Sequence, residues 1–235
     1  MLWFKAWLET RWRFCFIAAS ILFAWATPLW APLFHLRAPA GVPESRLWLA
    51  VHVASVLLYI FAAIFLAGSG INSQTTYAAT SGFHPSMLFT LSLPVTRRRL
   101  LLVRAGLGAL QTSVLVIVMA AYTLFDRPEA TTAAQLLTYL ARAIVCTMPV
   151  YALSTMLACL FDEMWQFYGA FMCCVAAFVL QSRIPGLSSL SPFRGMSLIS
   201  YPIAGPIPWA PVIFSLALTA VLMYASTLIV QRKQY

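Results

Sequence analysis

Leu91-Ser92-Leu93-Pro94-Val95-Thr96-Arg97-Arg98-Arg99 is the stretch from which the rest of the chain can be laid out. An apolar segment stops at Pro94, three arginines follow, and a long apolar run begins at Leu100. Three adjacent guanidinium groups do not enter hydrocarbon without a large penalty, so they belong at a membrane surface. Lys and Arg are in excess on the cytoplasmic side of membrane proteins, which makes this the expected cytoplasmic surface and orients the flanking helices.

Composition agrees with a membrane setting. The 235 residues are 62% hydrophobic and 9% charged, whereas a soluble domain is about half apolar and about a quarter charged. The apolar residues gather into several runs near the roughly 20 residues that cross a bilayer. The fold class expected is an all-α integral membrane protein, one polytopic domain over residues 1–235. The net charge of +9 does not point to nucleic acid, because the charges lie in short clusters at the ends of apolar runs, as topology signals do. Cys15, Cys146, Cys159, Cys173 and Cys174 all fall within expected spans, with neither metal-site nor disulfide-framework spacing, and read as packing residues. Lys5, Arg11 and Arg13 ahead of Ala24-Trp25-Ala26 imitate a signal peptide. The apolar run continues through Phe34, so a retained span is expected.

Residues 1–13 mix tryptophans with charges and read as an interfacial helix. Six spans are expected, at residues 14–34, 47–68, 100–124, 143–161, 165–180 and 209–230. Gly68 and Gly70 end the second of these. A charge-poor segment follows, in which His84-Pro85 opens a short helix. Arg104 lies one turn into the third span, from where it snorkels back to the cytoplasmic face. Starting the fourth span at residue 143 keeps Arg142 at the outer interface and makes 131–141 an interfacial lead-in. Asp162 and Glu163 form an inner turn, solvated or in contact with a basic partner. Residues 182–208 carry five prolines and form a broken, re-entrant-like segment between the last two spans. With both termini inside, nine Lys and Arg lie on the cytoplasmic side and six outside.

Little in the chain speaks for catalysis. The only lysines are Lys5 and Lys233, and neither follows a glycine, so there is no phosphate-binding Gly-Lys-Ser/Thr. Ala67-Gly68-Ser69-Gly70 imitates the serine motif of rhomboid-type proteases, yet no histidine follows His84 to serve as base. His35, His52 and His84 fall at different depths, which argues against a shared metal. His52 and Arg142 are candidates for a substrate path. The plainer alternatives are a satisfied interfacial histidine and a snorkelling arginine.

Leu91-Ser-Leu-Pro-Val-Thr-Arg-Arg-Arg-Leu100, followed by Arg104, resembles the signature ahead of the third span of type-2 ABC transporter permeases. Lys5-Ala-Trp-Leu-Glu9-Thr-Arg11 is similar to the entry helix of that family. The chain departs from the family in having no acidic residue between Asn72 and Phe89. The resemblance implies the membrane subunit of an ABC exporter in a cell membrane, expected to be the bacterial inner membrane, with both termini cytoplasmic. It implies a second permease subunit, identical or related, and a separate ABC ATPase that binds Mg-ATP; this chain itself would hold no cofactor and would not be an enzyme. It places ATPase docking on a coupling helix with Pro85, Ser86, Met87, Phe89 and Thr90, and membrane-surface anchoring on Arg97, Arg98, Arg99 and Arg104. The alternative is a polytopic membrane enzyme or assembly factor with no ATPase partner.

Overall fold

A computed structural model describes residues 2–25, 56–68, 96–125, 132–197 and 205–232. Among these residues there are helices and short connections and no strand. The helices are α1 (Leu2–Trp25), α2 (Val56–Leu66), α3 (Arg97–Phe125), α4 (Ala133–Ala158), α5 (Glu163–Arg183), α6 (Pro185–Ser188), α7 (Pro192–Met196) and α8 (Trp209–Arg232). Four are long and apolar enough to cross a membrane: α3, α4, α5 and α8. They correspond to the third to sixth of the expected spans. The first and second expected spans, 14–34 and 47–68, lie partly outside the described residues.

The boundaries differ from the expected ones for physical reasons. α1 is one uninterrupted helix, so residues 1–13 and the start of the first span are not separate elements. It runs parallel to α3: the Trp3 ring lies over Gly106, 3.3 Å from where a Cβ would stand, and Gln111 Nε2 donates to Thr10 Oγ1 at 2.8 Å. α3 begins at Arg97 rather than 100 because Thr96 caps it, its Oγ1 accepting from the Arg99 N–H at 3.4 Å. α4 begins ten residues before the expected 143. Thr132 and Gln135 form a capping box, with the Thr132 N–H donating to Gln135 Oε1 at 3.0 Å and Gln135 N–H to Thr132 Oγ1 at 3.4 Å. The expected lead-in over 131–141 is therefore the first part of α4 itself, from residue 133 on. At 26 residues α4 is about 39 Å long, longer than the roughly 30 Å of hydrocarbon in a bilayer.

α4 is the hub, packed against α3, α5, α7 and α8. Small residues allow this: Ala62 and Ala63 of α2, Ala67 just after it, Ala143 and Cys146 of α4, and Ala170 and Cys174 of α5 are all buried in one core with Leu115 and Val116 of α3. Lipid supplies no hydrophobic force between helices, so close approach of small side chains is what holds such a bundle. Hydroxyls inside it bond back to their own helices, as in Thr112 to Gly108 O (2.8 Å) and Thr147 to Ala143 O (2.7 Å), which removes the need for water. α5 and α8 turn most of their surface outward, with Trp165, Tyr168, Phe178, Trp209 and Tyr224 exposed.

The termini of the elements sort into two ends. Leu100 and Leu101 of α3, Ala158 and Cys159 after α4, and Val230 of α8 form one cluster. The same end therefore collects the starts of α1, α3 and α5 and the ends of α2, α4 and α8. Lys5, Arg11, Arg13, Arg97, Arg98, Arg99, Arg104 and Arg232 belong to it, while Arg142, Arg183 and Arg194 lie toward the other end. The segment 182–208 is described over 182–197 and 205–208, and α7 folds back on the bundle. A Cβ on Gly195 would run into the Cys146 side chain of α4 and stand 3.6 Å from Pro211 Cβ of α8.

Candidate functional site

The basic end holds the most connected polar arrangement among the described residues, built around the stop of α2. A helix ends with carbonyls that have no partner in the helix. α2 ends at Leu66, and Gly68 takes a left-handed φ of +73° that turns the chain out of the helix. Gln166, near the start of α5, reaches across and donates from Nε2 to Ala67 O at 3.0 Å and to Ser154 Oγ of α4 at 2.9 Å. Ile64 O lies 3.5 Å from both Gln166 Nε2 and Ser154 Oγ. Gln166 and Ser154 are buried. One amide thus ties α2, α4 and α5 together in a place where water cannot.

Two further links tie the same level together. Arg13 of α1 forms an ion pair with Glu163 at 2.5 Å, and its Nη1 approaches Phe65 O at 3.5 Å. Tyr151 of α4 donates from its hydroxyl to Ala105 O of α3 at 2.8 Å, and the same ring covers Gly108. Glu163 also sits in the first turn of α5, where a negative charge suits the helix dipole. Glu163 of the Asp162-Glu163 turn thus has a cation of this same chain, on α1, beside it.

Arg13 and Glu163 are 20% and 39% exposed, so screening by solvent keeps the pair at about 1 kcal/mol or less. Its main effect is on how α1 sits against α5. Arg13→Glu and Glu163→Arg singly are each expected to lower thermal stability in detergent by less than about 1 kcal/mol, with the double reversal recovering most of that loss. Additive losses would show that the pair does not interact.

The site residues expected from sequence are distributed as follows. Pro85, Ser86, Met87, Phe89, Thr90 and His52 lie outside the described residues. Arg97, Arg98 and Arg99 form the first turn of α3, with Arg98 and Arg99 exposed. Arg104 is only 6% exposed, covered by protein one turn into the apolar part of α3. Arg142 is also 6% exposed, with its guanidinium 5.4 Å from the centre of the Tyr139 ring. It stands about 24 Å along α4 from Ala158, so it is not part of the basic-end arrangement. It lies nine residues after the start of α4, and neighbouring helices enclose the side chain. Tyr139 Oη in turn lies 3.5 Å from Tyr59 Oη of α2.

Gln166, Ser154, Tyr151 and the Arg13–Glu163 pair did not stand out in the sequence. A glutamine at the opening of an apolar run, after Met164 and Trp165, was the one available signal. Comparison with family models, curated proteins and solved structures found no match.

Proposed function

We propose that this chain is the membrane permease subunit of a type-2 ABC exporter, working with a second permease subunit and a separate ATP-hydrolysing subunit. The observation that supports the reading is that Gly68 and Arg97, which residues 69–96 connect, both lie at the basic end of the bundle. A segment tethered at both sides to one end is suited to act as a handle. Closure of the ATPases on Mg-ATP would push that handle, which carries Pro85, Ser86, Met87, Phe89 and Thr90.

The links described above say what a push would move. Gln166 holds the end of α2 to α4 and α5, Arg13 joins α1 to α5, and Tyr151 joins α4 to α3. A displacement at the end of α2 would therefore pass to several helices as a rigid-body shift. The arginine triplet argues for the same role by its energetics. Cations in the first turn of a helix oppose its dipole, by about 0.3–1 kcal/mol each. They do not stabilise α3, and their use lies in holding its start at the anionic cytoplasmic lipid surface.

The expected result is that the full chain, purified from native membranes in mild detergent, brings down an ATP-binding-cassette ATPase whose hydrolysis rate depends on the chain. Purification without any such subunit, and no stimulation by reconstituted candidate ATPases, would overturn the proposal.

A further inference from the structure

α1 has two faces. Ala6, Thr10 and Ile21 are buried against the bundle, while Arg11, Cys15, Ala19 and Leu22 follow one another on the opposite side and are exposed. Arg11 is the one charge on this outward track. No carboxylate among the described residues pairs with it, and its guanidinium lies 5.5 Å from the centre of the exposed Trp12 ring. Glu9 and Arg13 each lie two positions away, and residues two apart on a helix do not face each other.

Depth in the bilayer follows from the neighbours. The Arg13–Glu163 pair sets this turn of α1 level with the start of α5, where Trp165 and Tyr168 are exposed. Exposed Trp and Tyr mark the level of lipid head groups. Arg11 therefore stands at head-group depth at the basic end, and the track runs from it toward the middle of the bilayer. From Arg11 to Leu22 is about 16 Å along the helix. One leaflet of a hydrocarbon core of roughly 30 Å has about that thickness. Cys15 and Ala19 are small and leave the track shallow, and the exposed Phe16 and Phe23 stand along one side of it.

We infer that α1 binds one anionic glycerophospholipid along this track, with the lipid phosphate on Arg11 and an acyl chain over Cys15 and Ala19. A guanidinium presents its N–H groups as a fork that matches phosphate oxygens, and an arginine with no carboxylate of its own has that fork to offer. Net negative charge on the lipid is favoured by the surroundings. Among the described residues the eight Lys and Arg of the basic end face only Glu9, Asp162 and Glu163. That field attracts an anionic head group, whereas a zwitterionic one brings a cation that it repels. The binding stands apart from the transport reading, since it needs no ATPase.

The test uses the full chain in phosphatidylcholine nanodiscs doped, at equal mole fraction, with phosphatidylglycerol or phosphatidylcholine carrying the same diazirine-tagged acyl chain. The phosphatidylglycerol probe is expected to label the α1 peptide that follows Arg13 about fivefold more strongly, and untagged phosphatidylglycerol should compete. Arg11→Gln should bring that labelling down to the phosphatidylcholine level and leave labelling of α8 as in the parent. The variant should melt with the parent, because Arg11 makes no tie within the bundle. Ala19→Phe keeps the charge but obstructs the track, and should lower phosphatidylglycerol labelling of α1 as well. Equal labelling of α1 by the two probes in the parent, or an undiminished phosphatidylglycerol preference in Arg11→Gln, would overturn the proposal. So would a preference that survives in Ala19→Phe, which would show a diffuse positive surface in place of a site.

Discussion

Gly68→Val is expected to destabilise the protein by about 3 kcal/mol or more, out of the roughly 5–15 kcal/mol that a folded protein has. Two effects add. The residue adopts φ +73°, a conformation that a β-branched side chain reaches only with strain of about 1–2 kcal/mol. The space is also occupied: a Cβ there would stand 2.5 Å from Ala158 Cβ and 2.8 Å from Gln166 Oε1. Ala158 Cβ is fixed to the α4 backbone and cannot swing aside, so α2 must move away from α4 or Gln166 must leave the Ala67 carbonyl. Either breaks the tie at the basic end. Gly186→Ala is the control, since nothing lies within 4 Å of its added carbon, and its effect should stay within about 0.5 kcal/mol. Thermal unfolding in detergent, read by intrinsic tryptophan fluorescence, compares the two. A Gly68→Val chain that melts with the parent would show that α2 does not end in the observed way.

On the proposed exporter reading, replacing Arg97, Arg98 and Arg99 together by glutamate is expected to reduce ATP-driven export to background. The positive-inside bias is a rule about Lys and Arg close to span ends, and the triplet is its strongest representative here. The substitution separates orientation from helix stability. Acidic residues in the first turn suit the helix dipole by about 0.3–1 kcal/mol each, so α3 as a helix should become more stable. Any loss must then come from where the start of α3 is placed. The direct measurement is the reaction of a Ser86→Cys chain, otherwise free of cysteine, with a membrane-impermeant thiol reagent in intact cells. The parent arrangement should be unreactive and the triple glutamate variant reactive. Labelling of the parent would place residue 86 outside and remove the proposed ATPase-docking surface.

The long apolar helices were legible in the sequence because hydropathy is a local property. The expected sixth span, 209–230, and the helix Trp209–Arg232 nearly coincide, and the expected fifth span, 165–180, falls within Glu163–Arg183. α4 starts ten residues ahead of the expected fourth span, and the reason is present in the sequence: Thr132-Ala-Ala-Gln135 is a capping box. An arginine can lie within a helix bundle when other helices enclose it, as both Arg104 and Arg142 do. The charges of the first 13 residues suggested a helix lying flat. Only the fit of Trp3 over Gly106, and of Thr10 against Gln111, shows α1 running alongside α3.

Chain order and residue type were enough to establish a helical protein with several membrane-length apolar helices and an arginine-rich start to one of them. They did so because apolar run length and charge clustering are read residue by residue. The meeting of Gln166 with Ala67 across 99 positions, and of Arg13 with Glu163, came only from the packed bundle. Such pairings follow from which helix faces pack closely enough to exclude solvent, and no local pattern in the chain encodes that choice.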